Sequence, residues 1–390
     1  MQAIRYYLEA VRPARATEFL EIIDPDFRNA SLQVPCFAGK IMIHRLVTEC
    51  RRHDRLIRAD TDPAFAGLWR NLLRNVVQQI ELTNRRLNVV QENDSMSVLY
   101  GLHSLIYTNC AIESAAWRAH LKGAFAYIGH IGGTKAAGTA RRGVSTIGWF
   151  LLFAAVSNTM SRADMQETAY FTYSDEDIRA SLSRVLNSDF PCPVDLVMTV
   201  VRITRLRHQT VTSKGNLDAS FAFSVREVFV DIDVCDRGTW GAPGFLIKKD
   251  LAPVFGDIFQ CAVRLFGILT LPRREVLASF PTSGDCTAHE AYSNLRDAER
   301  RRLIQLLRQV FPRLKYTPAL RWPLVVAGVA AATERSSEQD RDYIAQSIYN
   351  VWKHPLSELT DFQMLVRLRR FWLLDETDWD TCFNNTVRAW

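Results

Sequence analysis

Apolar side chains return every three to four residues along most of this chain, a period that suits helices with one buried face. Between residues 40 and 57, Ile43, Leu46, Val47, Cys50, Asp54 and Ile57 fall at i, i+3, i+4, i+7, i+11 and i+14, and only Asp54 is polar. Asp62 then reads as an N-cap with Pro63 at the first helical position, where its missing N–H costs nothing. Phe65, Leu68, Leu72, Leu73, Val76 and Ile80 form the apolar face that follows. Ser174, trailed by Asp175, Glu176 and Asp177, predicts another capped start with carboxylates at the positive end of the helix dipole. Ile178, Leu182, Val185 and Leu186 continue its face, and the same period runs through residues 295–311, 343–352 and 362–374.

Strand signals are scarce. The best is residues 224–234, where Val225, Val228, Val230, Ile232 and Val234 nearly alternate, but no second strand is in view to pair with it. Gly-, Thr- and Asp-containing breaks fall at 132–143, 208–220, 235–244 and 279–290, none biased enough for an interdomain linker. The expectation is therefore all-α: one large irregular helical domain, a multi-helix bundle over residues 1–390, with a hinge near 208–245.

Composition narrows the function classes. Of 390 residues, 48% are hydrophobic and 23% charged, a mixture that excludes a wholly disordered or fibrous chain. A formal net charge of +6 is too mild, at this length, to predict nucleic-acid binding. Only eight of the 48 basic residues are Lys. Arg suits bidentate anion recognition, yet the runs Arg51/Arg52/Arg55/Arg58, Arg296/Arg300/Arg301/Arg302 and Arg367/Arg369/Arg370 read as solvated polar faces of amphipathic helices. Residues 1–20 carry Arg5, Glu9, Arg12 and Arg15, which interrupt any apolar core, so no secretory signal is expected. The longest apolar runs, 148–156 and 323–332, fall short of the roughly 20 residues a membrane span needs. Eight scattered cysteines without a C-x-x-C pair predict reduced core residues. A soluble intracellular protein without membrane contact is expected.

Motifs that carry chemistry are thin. The eight histidines contain no i,i+4 pair, and no two cysteines lie close enough for a structural zinc site, so no metal and no cofactor is expected. The Gly129–Gly133 stretch lacks the Lys-Ser/Thr of a phosphate loop, and Gly143 to Gly148 has one residue too many for a nucleophile elbow. Asp231, Asp233 and Asp236 could hold Mg²⁺ with a diphosphate, but aspartates beside Gly238 more often form a turn. His120 shares a helix face with Trp117, the placement of a satisfied, half-buried histidine more often than of a base or ligand.

Three segments in order carry a resemblance. The first holds Trp117, His120, Leu121, Gly123 and Ala124, continued by Ile128, Gly132 and Gly133. The second holds Leu320, Trp322, Pro323, Leu324, Ala327 and Gly328; the third holds Leu368, Phe371 and Trp372, followed by Asp378, Trp379 and Asp380. Together they resemble the H-L-x-G-A, W-P-x-x-x-A-G and L-x-x-x-W segments of the fungal-specific transcription factor domain, the regulatory body of fungal zinc binuclear cluster proteins. Residues 1–58 are similar to that family's opening helices, so the resemblance spans essentially the whole chain.

The resemblance implies an all-α body that relays signals and controls transcription in a fungal nucleus, with the cytoplasm as a second location. The motif residues themselves read as packing devices: Gly123 and Gly328 for close helix approach, Pro323 at a first helical position, and Trp117, Trp322 and Trp372 as core fillers. One departure bears on mechanism. The family reads DNA through a six-cysteine cluster, whereas the first cysteines here are Cys36 and Cys50, with no such cluster and no preceding heptad run. Direct DNA reading by this chain is not expected. Contact would come through a DNA-bound partner, a homodimer or a cluster encoded upstream, under control of a small-molecule effector, with a biosynthetic gene cluster as the target. Two alternatives stand beside it. One is a helical body repurposed as an enzyme, with His120, His130, Asp231, Asp233 and Asp236 as candidate groups; the other is an inert dimerising decoy.

Overall fold

The computed structural model describes residues 35–384 apart from 59–61, 89–94, 113–115, 134–140, 184, 186–189, 214–216, 236–249, 281–286, 315–316, 333–337, 355–356 and 375–376. These residues form fifteen α-helices and no strand. The all-α expectation is thereby shown. Contacts divide the chain into two compact units: residues 1–150, 352–361 and 387–390, and residues 151–351 and 362–386.

The first unit holds helices α1 (Pro35–His53), α2 (Ala66–Asn88), α3 (Ser95–Ala111) and α4 (Trp117–His130), and the opening half of α5 (Arg141–Thr159). Ile43, Leu46, Val47 and Cys50 are all buried on α1, as their spacing predicts. The helix stops at His53 because Asp54 turns left-handed (φ 52°), a conformation Asp tolerates better than most residues. Asp62 departs from its expected role. It precedes a short 3₁₀ turn, Pro63–Phe65, without capping it, and its carboxylate instead accepts from Arg58 N at 2.8 Å and pairs with Arg55. Where α1, α2 and α3 meet, the interior is polar: Gln79 donates to Asn75 Oδ1 at 2.8 Å, and Ser104 Oγ donates to Gln79 Oε1 at 3.1 Å. Gly39 permits that meeting, since a methyl there would lie 2.7 Å from Asn75 Oδ1.

The second unit is built around α9 (Ala252–Thr270), a helix apolar on nearly every side. Among the described residues α9 is the one helix long and apolar enough to cross a membrane, and most of it is buried in its own unit. Around it pack α7 (Val194–Thr212), α8 (Ala219–Val234), α10 (Arg273–Ala278), α11 (Ala288–Val310), α12 (Arg321–Ala330) and α15 (Trp379–Cys382). The unit also contains α6 (Asp175–Leu182), most of α13 (Glu338–Lys353) and the later part of α14 (Leu359–Phe371). Ser174 caps α6 as expected, accepting from Asp177 N at 3.1 Å. A full capping box at Thr287 and Glu290 starts α11.

The expected strand at 224–234 is the second half of α8. Asp218 caps that helix by accepting from Phe221 N at 3.0 Å. Phe221, Val225, Val228, Phe229 and Ile232 are buried at helical spacing, whereas Val230 and Val234, which completed the apparent alternation, face outward. The apparent break at 208–220 narrows as well, because α7 continues through Thr212. Pro323 sits at the third position of α12, not the first. An N–H is dispensable there too, since no residue four positions earlier belongs to the helix.

Candidate functional site

The residues nominated for chemistry do not form one constellation. His120 and His130 lie on α4 of the first unit, with His120 half-buried and His130 exposed. Burial lowers the His120 pKa, so its imidazole is neutral at physiological pH. Asp231 and Asp233 lie on α8 of the second unit, in a helix and not in the turn that Gly238 suggested. Each carboxylate is held by an arginine: Arg202 pairs with Asp231, and Arg264 pairs with Asp233 while reaching Glu299 at 3.2 Å. These bridges tie α7 and α9 to α8, which gives both aspartates a structural occupation. Asp236 and Gly238 lie outside the described residues. Among the described residues no three His, Cys, Asp or Glu side chains come together as a metal cluster would.

The motif residues behave as packing devices, with one exception. Trp117, Leu121 and Ala124 are buried on α4. Gly132 and Gly133 have positive φ, 96° and 77°, where the helix ends, a backbone region glycine enters without strain. Gly123 is the exception. A methyl there would meet nothing within 4 Å, so it is not a close-approach site.

The second and third segments meet each other. A methyl at Gly328 would lie 2.6 Å from Leu368 Cδ1, so α12 and α14 approach through the missing side chain. Beside that contact Trp372, expected as a core filler, is only half-buried, and it donates its indole N–H to Gly328 O at 2.8 Å. Trp322 is 2% exposed; its indole donates to Thr159 Oγ1 at 3.0 Å, and Phe190, Phe259 and Phe266 surround its ring.

Beneath this aromatic cluster lies a polar centre that no sequence spacing announces. Arg207, 2% exposed, donates to Asn158 O (3.2 Å), Ser161 O (3.1 Å) and Asp380 Oδ1 (2.6 Å), and its guanidinium stands 5.6 Å from the Phe266 ring. Desolvation lowers the Arg207 pKa and Asp380 opposes it. Asp380 also accepts from Ala163 N at 3.2 Å, so one carboxylate fastens α15 to α7 and to the turn after α5. Nearby, Asn158 Nδ2 donates to Glu167 O and to the Tyr170 hydroxyl, and burial raises that phenol to about 12. A protonated phenol among satisfied amides is an architectural network, neither nucleophile nor base.

The described cysteines are equally quiet. Cys50, Cys110, Cys192, Cys235, Cys261 and Cys382 form no disulfide and are buried, while Cys286 and the Cys36 side chain lie outside the described residues. Desolvation raises the thiols of Cys110, Cys192 and Cys261 well above their ordinary value and that of Cys382 to about 12. The thiolate is the reactive species, so at pH 8 iodoacetamide should leave these four unmodified in the native protein and label them after unfolding in urea. Peptide mass mapping reads the result; rapid native labelling of Cys261 or Cys382 would contradict the burial. No protein-family model, curated protein or solved structure matches this chain.

Proposed function

We propose that the chain is a regulatory helical body of the fungal-specific transcription factor type, acting in the nucleus on a biosynthetic gene cluster through a DNA-bound partner or a second copy. The observation that carries this reading is the joining of two motif segments. Gly328 of the W-P-x-x-x-A-G segment touches Leu368 of the L-x-x-x-W segment and accepts from its Trp372, 44 positions away in sequence. Residues quoted for a resemblance gain weight when the fold gives them a shared physical task, here the seam between α12 and α14. Six charged groups of the second unit fit the same reading, because Arg202, Arg207, Arg264, Asp231, Asp233 and Asp380 each form an ion pair between helices.

Deletion of the gene in its host, followed by transcript and metabolite profiling together, tests the proposal. A regulator should shift a set of pathway transcripts as a group, with pathway products falling or rising behind them. Steady transcripts with one accumulating intermediate would replace this reading with the enzymatic one. Intact transcripts beginning at Met1 would favour action through a partner over an upstream zinc cluster.

A further inference from the structure

On α11, Tyr292, Arg296 and Arg300 follow one another at four-residue spacing, which places them on one helix face. The run of arginines there reads as a solvated face in sequence, yet this part of it points inward: Arg296 is 6% exposed and Arg300 2%. Two guanidiniums buried one turn apart repel each other and lose hydration, a cost that proteins offset with well-placed acceptors. Asp297 supplies one, with Oδ1 3.7 Å from Arg300. Arg296 is different. It makes no hydrogen bond to any described residue through its side chain, and none of its nitrogens is sealed from solvent. At the same face Arg273, the exposed first residue of α10, holds its guanidinium carbon 4.6 Å from the Tyr292 ring centre. Tyr292 is fixed in turn by donating its hydroxyl to Ile268 O at 2.7 Å. The result is an anchored aromatic ring with an exposed cation stacked on it and a second, largely buried cation one turn along the same helix face.

We infer that Arg273, Arg296 and the Tyr292 ring form a binding site for the oxyanion of a small molecule, a phosphate ester or a carboxylate. Arg296 offers planar paired donors that the fold leaves unused, the geometry a carboxylate or phosphate accepts in bidentate fashion. With only 6% of the residue exposed, few waters compete at its reachable nitrogens, which strengthens each bond to a charged acceptor. Arg273 sits where it can meet the anion in solvent and close over it, with its stacking on Tyr292 limiting the conformations lost on binding. Desolvation lowers the Arg296 pKa, Arg300 and Arg273 add to the shift, and Tyr292 and Asp297 oppose it. This gives the proposed regulator a ligand and rests on that reading for its biological role alone.

Binding is tested on the purified full chain by thermal unfolding in sodium phosphate, with sodium chloride at equal ionic strength as reference. The intact protein should gain a few degrees in Tm, saturably, because a ligand that binds the folded state alone stabilises it by mass action. Arg296→Met removes a buried charge that lacks an acceptor, so the variant should fold with a Tm equal to or above the parent and lose the phosphate response. The exposed change Arg273→Met should keep the parent Tm and shrink that response. Acetate in place of phosphate separates the two oxyanion classes, and a response to either supports the site. Equal gains in parent and Arg296→Met, no gain with either anion, or an Arg296→Met protein melting well below the parent would each overturn it. None of these outcomes touches the transcript profile, so the site and the regulatory reading can fail separately.

Discussion

Asp380→Ala will destabilise the second unit by about 3 kcal/mol, the low end of the range for stripping the partner from a buried charge. Arg207 is the reason. With 2% of its side chain exposed it cannot recover hydration when its carboxylate is removed, and two backbone carbonyls, Asn158 O and Ser161 O, are all that remain to it. Asp380 is 39% exposed, so water that enters the vacated space softens the loss and keeps the estimate low. The second oxygen adds to the cost, since Ala163 N loses its acceptor and the turn after α5 loosens from α15. Arg207→Met should cost less than Asp380→Ala: the exposed carboxylate can return to water, while the methionine fills the channel beside Phe266. The double variant should be more stable than the Asp380 single variant, with a coupling of about 1–3 kcal/mol between the two sites. Urea denaturation of the four proteins closes the cycle. A purely additive result would mean that the charge pair contributes nothing and that the carbonyl bonds of Arg207 hold the centre alone.

That centre shows what kind of information a sequence withholds. Arg207 and Asp380 are 173 residues apart, and no local period links them. The burial of Arg207 and its pairing with Asp380 follow from the packing of α7 against the turn at Ala163–Met165 and from the seat of α15 on α9, facts of tertiary assembly. Features set by neighbours a few residues away were legible. Ser174 caps its helix because a hydroxyl in front of three acidic residues satisfies an N–H close by, whatever the rest of the chain does. The α1 face was legible for the same reason.

Residues 224–234 mark the boundary between these cases. Of Val225, Val228, Val230, Ile232 and Val234, four fit a two-residue period and three a 3.6-residue one, and β-branched side chains tilt the reading toward a strand. Asp218 and Phe221 together favour the helix, as a cap followed by the first buried position, and they lay just outside the window that suggested alternation. The arginines of α11 failed differently. A helix with Arg296, Arg300, Arg301 and Arg302 looks solvated, and only the packing of α11 on α9 and α12 turns Arg296 and Arg300 inward while Arg301 and Arg302 stay in water. Of the two glycines expected at close helix contacts, Gly328 has Leu368 against it and Gly123 faces open space. A small residue states that approach is permitted, not that a partner arrives.

Trp322→Ala should cost about 4–5 kcal/mol, the upper part of the range for emptying a buried tryptophan site. The indole is enclosed by three phenylalanines: Phe259 stacks at 6.3 Å, and Phe190 and Phe266 meet it edge-on at 5.8 and 5.9 Å. Phe266 is itself clamped, with Trp379 5.0 Å away on its other side and Arg207 beside it, so the walls of the cavity cannot collapse inward without disturbing the ionic centre. A rigid cavity keeps most of its cost. The lost indole N–H contributes little, because Thr159 Oγ1 continues to donate to Val156 O at 2.6 Å and is not orphaned. Trp322→Phe therefore isolates shape from hydrogen bonding: it preserves an aromatic ring among aromatic rings and should cost about 1–2 kcal/mol, less than half the alanine value. Trp372→Ala should fall between zero and the phenylalanine variant's upper bound, since that ring is half-buried and its loss opens a cleft to solvent instead of a sealed void. Urea unfolding followed by far-ultraviolet circular dichroism ranks the three. If Trp372→Ala proves worse than Trp322→Ala, the seam between α12 and α14, and not the aromatic cluster at Trp322, is what holds this unit together.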